Sequence, residues 1–357
     1  MPMMSKETLA QRVTPGRIRW FRKEVIEVRG PEPLAVVRKR RAEGDTHAPV
    51  ILVHGFGQNR YAWHMPERSF ANYLADRGFD VFNVDLRGHG RSAEMGSARS
   101  RGIDDYIQGD LPAVIDEVLA RTGCDKTFLL GHSLGGLCSA AAGARLADKV
   151  AGVVTVGSPH ALGRDHFVLG TGLRVLHHTL FSKGLFRGSQ RRFPVDLIGK
   201  ALHAARFAFD SRFAPIPVRG WHPGSFEDGE LASYVRSFDS ESFSTVDDLI
   251  VLAATGELRS RIDGSSYTHA IEQSTLPLLA VCGTFDLLAN PGAVKPLFDR
   301  SRSADKQYVK VDAGHGDMLV GSKAPEDVWP AVSRWLDARR SLVSLSQVAA
   351  AEARQAS

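Results

Sequence analysis

The sequence predicts an α/β fold in which helices flank a mainly parallel sheet of buried strands. Short apolar runs alternate with helical stretches over residues 24–160 and 275–340, a pattern typical of parallel βαβ units. Val50–His54 is a continuous apolar run, as expected for a strand that is buried on both faces. From about residue 160 to about residue 275 the regular spacing of predicted strands stops, which indicates an inserted segment.

The first part of the chain contains six predicted strands and three predicted helices. Gly and Pro residues at 30–33 mark the turn between the first two strands. The strands are Glu24–Arg29, Leu34–Lys39, Val50–His54, Val81–Asp85, Thr127–Leu130 and Val150–Val156. The helices are Ser69–Arg77, Asp104–Arg121 and Ser133–Leu146. Gly78 suits the end of the first helix, and two acids in the first turn of the second suit the helix dipole.

The strand–helix alternation resumes near the C-terminus. We predict strands at Leu278–Val281 and Gln307–Val311, and helices at Pro291–Asp299 and Pro325–Leu342. Residues 1–160 and 275–357 are therefore expected to form one core, and residues 161–274 an insertion in it. The insertion is too long for a passive loop, so we expect it to contain helices of its own and to act as a cap or lid. The last ten residues are typical of a helical end or a frayed tail.

Composition and charge exclude several classes of protein. The chain has 357 residues, of which 43% are hydrophobic, so it can build a sizeable core. A net charge of +5 is too small to argue for nucleic-acid binding. Three cysteines without CxxC spacing argue against a disulfide scaffold or a zinc site. The charged N-terminus and the lack of a long apolar run favour a soluble cytoplasmic protein, without excluding peripheral contact with a membrane.

The sequence GHSLG at 131–135 lies between a predicted strand and a predicted helix. A G-x-S-x-G turn in that context exposes its serine at the edge of a sheet, and the N-terminus of the following helix favours negative charge there. Ser133 is therefore the candidate nucleophile. The alternative is an ordinary glycine-rich turn. His132 is adjacent in sequence but would point away from the Ser133 hydroxyl, so we interpret it as a packing or hydrogen-bonding residue.

A serine nucleophile needs a base and a carboxylate that orients the base. His315 follows a predicted strand near the C-terminus, and the loops after parallel strands converge on the edge where ligands bind. Asp286 also follows a strand, although a turn or helix-capping role would explain it as well. Asp312 and Asp317 flank the histidine and are weaker candidates for the acid.

The sequence HGFG at 54–57 follows the third predicted strand and is the candidate oxyanion loop. The backbone N–H groups of Phe56 and Leu134 are the expected donors to a developing oxyanion. Gly55 and Gly57 allow loop conformations that other residues avoid. A simple strand-to-helix turn is the alternative interpretation of this loop, but it does not explain why it occurs together with the serine turn.

Together these segments resemble the α/β-hydrolase superfamily. The resemblance rests on HGFG at 54–57, DLRGHGRS at 85–92, GHSLG at 131–135, GTFD at 283–286 and Gly314-His315. It implies a mainly parallel eight-stranded sheet with a helical cap inserted after the sixth strand. It also implies Ser133 as nucleophile, His315 as base, Asp286 as acid, and Phe56 and Leu134 as oxyanion donors.

The resemblance further implies a serine esterase or lipase that cleaves a carboxylic ester through an acyl-enzyme, with no metal or organic cofactor. An acyltransferase that uses the same acyl-enzyme is one alternative, and a non-catalytic binding protein that keeps the fold is another. The substrate would be a small ester or a lipid-like molecule.

The first half of the insertion is basic and contains apolar patches, among them Phe207 and Phe209. This combination is compatible with a membrane surface or an acidic lipid, and equally with a solvated basic face over a packed cap. The cations are Arg164, Arg174, Lys183, Arg187, Arg191, Arg192, Lys200, Arg206, Arg212 and Arg219.

Overall fold

A nine-stranded sheet forms the centre of the protein. The computed structural model describes residues 3–44, 46, 48–165, 167–204 and 220–346. The strands of this sheet are β1 Met3–Thr14, β2 Arg17–Arg29, β3 Pro33–Arg41, β4 Pro49–Val53, β5 Asp80–Asp85, β6 Thr127–His132, β7 Val150–Val156, β10 Leu278–Gly283 and β11 Lys306–Val311. Two further strands, β8 Arg192–Phe193 and β9 Glu241–Ser242, pair with each other inside the inserted segment.

The strand order is β1-β2-β3-β5-β4-β6-β7-β10-β11. Strand β2 pairs antiparallel with both β1 and β3, and β3 pairs antiparallel with β5. The pairs from β5 through to β11 are parallel. This is the predicted mainly parallel sheet, and the carboxyl ends of β4, β6, β7, β10 and β11 meet along one edge.

Thirteen α-helices are described around the sheet and in the inserted segment. They are α1 Phe70–Asp76, α2 Gly90–Glu94, α3 Leu111–Thr122, α4 Leu134–Arg145, α5 Phe167–Leu176, α6 Val195–Ala204, α7 Asp228–Val235, α8 Phe243–Thr255, α9 Tyr267–Gln273, α10 Pro291–Arg300, α11 Asp317–Val320, α12 Ala324–Asp327 and α13 Trp329–Asp337. No helix in this described part of the chain is long and apolar enough to cross a membrane.

The sheet has one strand more than the eight expected. The additional strand, β1, is an edge strand that pairs with β2 along nearly its whole length. Its side chains are mostly polar and exposed, and Val13 is its one buried residue among those whose burial is described. Because backbone hydrogen bonds to β2 rather than buried side chains hold it, the apolar pattern used for prediction does not reveal it.

Two predicted helices are each interrupted. The Asp104–Arg121 prediction is divided into a wide π-helical turn at Asp105–Asp110 and α3. The Pro325–Leu342 prediction is divided into α12, α13 and a short 3₁₀ turn at Arg340–Leu342. Pro330, near the start of α13, lacks the N–H group needed to continue a helix from α12.

Alternate residues of β4 contribute to two hydrophobic clusters, one on each face of the sheet. Val50 and Leu52 belong to the cluster that contains Trp63, Phe70 and Trp329. Ile51 and Val53 belong to the other, with Ile26, Phe82 and Tyr106. A strand buried on both faces has this alternation, so the apolar run at 50–53 is explained.

The inserted segment lies between β7 and β10 and is largely helical in its described part. Counted from β2, the first of the eight expected strands, β7 is the sixth. That residues 161–274 form a separate cap stays a prediction. Several residues used in the prediction lie outside the described residues: Arg206, Phe207, Phe209, Arg212 and Arg219. The last ten residues lie outside them too.

Candidate active site

Ser133 occupies a strained turn between β6 and α4. Its backbone angles are φ 51° and ψ −122°, and it is one of two described non-glycine residues with positive φ. Such conformations are costly for a residue with a Cβ atom and persist where surrounding packing enforces them. The turn has the strand-before and helix-after context that the G-x-S-x-G motif requires.

The glycines beside Ser133 are required by close backbone contacts. A Cβ atom on Gly135 would lie 2.2 Å from the carbonyl oxygen of His54. A Cβ atom on Gly131 would lie 2.4 Å from the carbonyl oxygen of Gly135. The start of α4 is therefore pressed against the end of β4, which brings the serine turn beside the candidate oxyanion loop.

His315 and Asp286 form a direct pair. Nδ1 of His315 lies 2.7 Å from Oδ2 of Asp286, and the carboxylate is fully buried. The other carboxylate oxygen, Oδ1, accepts the backbone N–H groups of Leu288 and Ala289 at 2.9 and 2.8 Å. An acceptor fixed in this way holds the proton on Nδ1 and leaves Nε2 free to act as a base.

The two rival carboxylates have other partners. Asp312 is exposed and accepts a hydrogen bond from the Thr284 hydroxyl. Asp317 is buried and accepts hydrogen bonds from the His222 N–H and the Ser225 hydroxyl. Among these three aspartates, Asp286 is the one that contacts the His315 side chain.

Ser133 is brought to the same edge of the sheet through β7. Its N–H donates to the carbonyl of Val156 at 2.9 Å. At the next residue, Gly157, a Cβ atom would lie 3.3 Å from Oδ2 of Asp286 and 3.4 Å from Nδ1 of His315. The candidate nucleophile, base and acid therefore come from the ends of β6, β11 and β10, with the Ser133 backbone against Val156 and the His315–Asp286 pair against the neighbouring Gly157.

His132 has the packing and hydrogen-bonding role that we expected. Its Nε2 lies 3.0 Å from the carbonyl oxygen of His315, and its Nδ1 lies 3.1 Å from Oε1 of Gln58. Burial, with a smaller contribution from the neighbouring imidazole of His315, holds the pKa of His132 well below its ordinary value. It is thus a neutral link between the serine turn and the loops around it.

The loop at 55–57 leaves one backbone donor unused. The Gly55 N–H donates to Oε1 of Gln58 at 3.1 Å, and the Gly57 N–H donates to Oε2 of Glu241 at 3.4 Å. Between them, the Phe56 N–H has no hydrogen-bond acceptor within the part of the chain that the structure describes. A Cβ atom on Gly55 would lie 3.0 Å from Cβ of Ser133, so this free donor is next to the candidate nucleophile.

Leu134 supplies the second candidate donor. As the first residue of α4, it has no acceptor for its N–H within the helix. It directly follows Ser133, so its amide lies on the same strained turn. The two predicted oxyanion donors thus flank the serine from two different loops.

The prediction missed Gln58 and Glu241. Gln58 directly follows the HGFG segment, but no motif assigns a role to that position. Glu241 lies more than 180 residues from the loop it contacts, as the sequence separation of its bond to Gly57 shows. Only the folded chain brings it to the site.

Residues 48–322 match the family described as "alpha/beta hydrolase fold". The chain belongs to the α/β-hydrolase family. The match covers more than half of the chain and includes every candidate site residue.

Relatives of this α/β hydrolase include polymerases and lipases. It is 25% identical over 321 residues to the poly(3-hydroxyalkanoate) polymerase subunit PhaC of Haloferax mediterranei, covering 84% of this chain and 60% of that protein. It is 24% identical to the subunit of the same name from Allochromatium vinosum, covering 86% of each chain. The triacylglycerol lipase of Burkholderia plantarii is 36% identical over 118 residues, 32% of this chain and 30% of the lipase. The chain spans about three fifths of the length of the Haloferax and Haloarcula polymerase subunits.

Solved structures share the fold of this α/β hydrolase. A monoglyceride lipase from Saccharomyces cerevisiae superposes with a TM-score of 0.57 at 16% identity, covering 88% of this chain and 96% of the lipase. An esterase from Thermogutta terrifontis has a TM-score of 0.54 at 19% identity, covering 94% and 99%. At these identities the likeness establishes the fold alone.

Proposed function

We propose that this α/β hydrolase cleaves a carboxylic ester through an acyl-enzyme on Ser133. The observation that carries the proposal is the buried His315–Asp286 pair, with Nδ1 and Oδ2 2.7 Å apart, at the edge of the sheet that also presents Ser133 on a strained turn. A nucleophile, an oriented base and two backbone donors are the parts that ester cleavage by a serine requires.

In the first half of the reaction Oγ of Ser133 attacks the ester carbonyl carbon while Nε2 of His315 accepts the hydroxyl proton. The carbonyl oxygen becomes an oxyanion that accepts hydrogen bonds from the N–H groups of Phe56 and Leu134. When the C–O bond to the leaving group breaks, His315 returns the proton to the alcohol. Asp286 stabilises the transient imidazolium.

In the second half, water attacks the acyl-enzyme and His315 takes its proton. The tetrahedral intermediate collapses, the proton goes to Oγ of Ser133, and the carboxylic acid leaves. This cycle uses only residues of the chain, because the backbone donors stabilise the oxyanion that a metal ion would otherwise stabilise.

A second candidate is acyl transfer to an alcohol, amine or thiol in place of water. It is favoured by the polymerase subunits, which match 84% and 86% of this chain, whereas the lipase matches about a third. The two functions share the acyl-enzyme and differ in the acceptor that reaches it. Product analysis with and without an added alcohol separates them: a new ester indicates transfer, and free acid alone indicates hydrolysis.

The inserted segment, residues 161–274, is proposed as the cap that shapes the acyl pocket. Several of its described apolar side chains are exposed, including Val175, Leu180, Leu185 and Leu197. With the neighbouring cations they would suit a lipid-like substrate or contact with a membrane surface. A series of p-nitrophenyl esters of increasing acyl length tests this: a preference for long chains supports a lipid-like substrate. A cytoplasmic location remains a prediction.

Labelling with a serine-reactive fluorophosphonate tests the nucleophile. We expect the wild-type chain to be labelled and Ser133→Ala to lose labelling and ester hydrolysis together. Ser139→Ala is the matched control, because Ser139 is a buried serine about one and two-thirds turns further along α4. We expect this variant to label normally. Undiminished labelling of Ser133→Ala would refute the assignment. An unlabelled wild-type chain would favour the non-catalytic binding protein.

A further inference from the structure

Residues 237–239 of the inserted segment pair with the chain at 57–59, at the end of the candidate oxyanion loop, as a short stretch of β-structure. The Asn59 N–H donates to the carbonyl of Ser237 at 2.9 Å, and the Asp239 N–H donates to the carbonyl of Gly57 at 2.7 Å. Gln58 and Phe238 lie opposite each other in an antiparallel bridge. This part of the insertion is therefore attached to the loop through backbone hydrogen bonds.

Two residues further on, Glu241 places a buried carboxylate against three parts of the core. Its side chain is 1% exposed. Oε1 accepts the hydroxyl of Tyr106 at 3.0 Å and the N–H of Ser242 at 2.8 Å. Oε2 accepts the N–H of Gly57 at 3.4 Å and lies 3.4 Å from Nε2 of His89.

The surroundings favour an ionised carboxylate. Burial opposes the charge on Glu241, but His89 together with the hydrogen bonds from the Ser242 N–H and the Tyr106 hydroxyl outweighs it and holds the pKa of Glu241 below its ordinary value. Burial likewise opposes a charge on His89, but Glu241, with smaller contributions from Asp239 and the Arg87 carbonyl, outweighs it and raises the pKa of that imidazole. The Gly57 N–H therefore faces a charged acceptor, which attracts it across the 3.4 Å separation.

We infer that Glu241 is a positioning residue that sets the orientation of the Phe56 N–H, an inference that rests on the proposed function. Gln58 holds the amide before Phe56 and Glu241 holds the amide after it, so the free donor lies between two fixed points. Gly57 has a positive φ of 58°, which permits other loop conformations once its amide is released. Loss of the Glu241 carboxylate would let the donor leave its place without removing any group that touches substrate.

Two variants, Glu241→Gln and Glu241→Ala, test whether the Glu241 carboxylate sets the orientation of the Phe56 N–H. The glutamine keeps the volume but has one oxygen for three N–H or O–H donors, so the Gly57 N–H loses its charged acceptor. We expect kcat per folded site to fall about 10- to 100-fold with little change in KM, because the displaced donor acts on the transition state. The affinity for a trifluoromethyl ketone, whose serine adduct carries an oxyanion, should fall by the same factor.

Glu230→Gln is the matched control. Glu230 is also a buried glutamate of the insertion that forms an ion pair with the core, in its case with Arg68, and it makes no described contact with residues 55–57. We expect this variant to lose stability but to keep its kcat per fluorophosphonate-titrated site and its affinity for the ketone. Titration of sites separates a lower folded fraction from a slower site.

The outcomes distinguish the two proposals. If Ser133→Ala still labels, the proposed function itself fails. If Ser133→Ala is inert but Glu241→Gln turns over at the wild-type rate per site, the nucleophile stands and the positioning role of Glu241 is refuted. A Glu230→Gln variant that is slowed as much per site would also refute it, because general loosening of the insertion would then explain the effect.

Discussion

Replacing Asp286 with asparagine should invert the tautomer of His315. Oδ1 of Asp286 accepts two backbone N–H groups, from Leu288 and Ala289, and Oδ2 faces Nδ1 of His315. An amide at this position must keep its oxygen toward the two N–H donors. Its NH₂ group then faces the imidazole, which can pair with it only if Nδ1 is an acceptor and the proton moves to Nε2.

The expected loss follows from that change. With a proton on Nε2, His315 cannot accept the proton of the Ser133 hydroxyl, and the backbone donors of Phe56 and Leu134 are left to stabilise the oxyanion unaided. Comparable tautomer inversion in serine hydrolases lowers kcat by about 10⁴-fold, which corresponds to about 5.5 kcal/mol of lost transition-state stabilisation. Because the asparagine has almost the same volume, we expect the fold to be retained.

Steady-state hydrolysis of a p-nitrophenyl ester, normalised to folded protein by circular dichroism, measures this loss. Asp312→Asn is the matched control, since Asp312 is close in sequence to His315 but exposed and bonded to Thr284, and it should leave kcat unchanged. An Asp286→Asn variant that keeps more than about a tenth of the wild-type kcat would refute the orientation argument. A large loss of kcat in Asp312→Asn would show that Asp286 is the wrong choice for the carboxylate that orients His315.

Two further predictions concern folding and pH. Gly135→Ala should prevent the soluble native fold, because the alanine Cβ would lie 2.2 Å from the carbonyl oxygen of His54. Expression and circular dichroism measure this, and a variant that folds normally would contradict the close approach of α4 to β4. Burial raises the pKa of Asp248 to about 7, against which the attraction of Arg261 is insufficient. A folded-state pKa above the unfolded value means that the native state binds the extra proton, so stability falls as pH rises from about 4 to about 7. The free energy of urea unfolding of the wild type should therefore decline relative to that of Asp248→Asn between about pH 4 and pH 7, and above pH 7 the two curves should run parallel. Curves that run parallel over the whole range would contradict the raised pKa of Asp248.

Much of the fold was predictable because its strands are buried on both faces. Such strands are continuous apolar runs, and the runs at 50–53 and 150–156 identified β4 and β7 from local sequence alone. β1 was not predictable in this way, since its pairing with β2 depends on backbone groups that every sequence shares. The π-helical turn before α3 likewise leaves no apolar signal of its own.

The sequence by itself determined the candidate nucleophile and its partners in outline. Ser133 is marked by glycines that only a tight turn requires, and His315 and Asp286 by their places after predicted strands. The tertiary structure decided which aspartate faces the histidine, because Asp286, Asp312 and Asp317 all follow predicted strands and local sequence does not show where their side chains point. It also decided that Glu241 reaches Gly57, since the partners of a buried charge are the groups near it in space, whatever their separation along the chain.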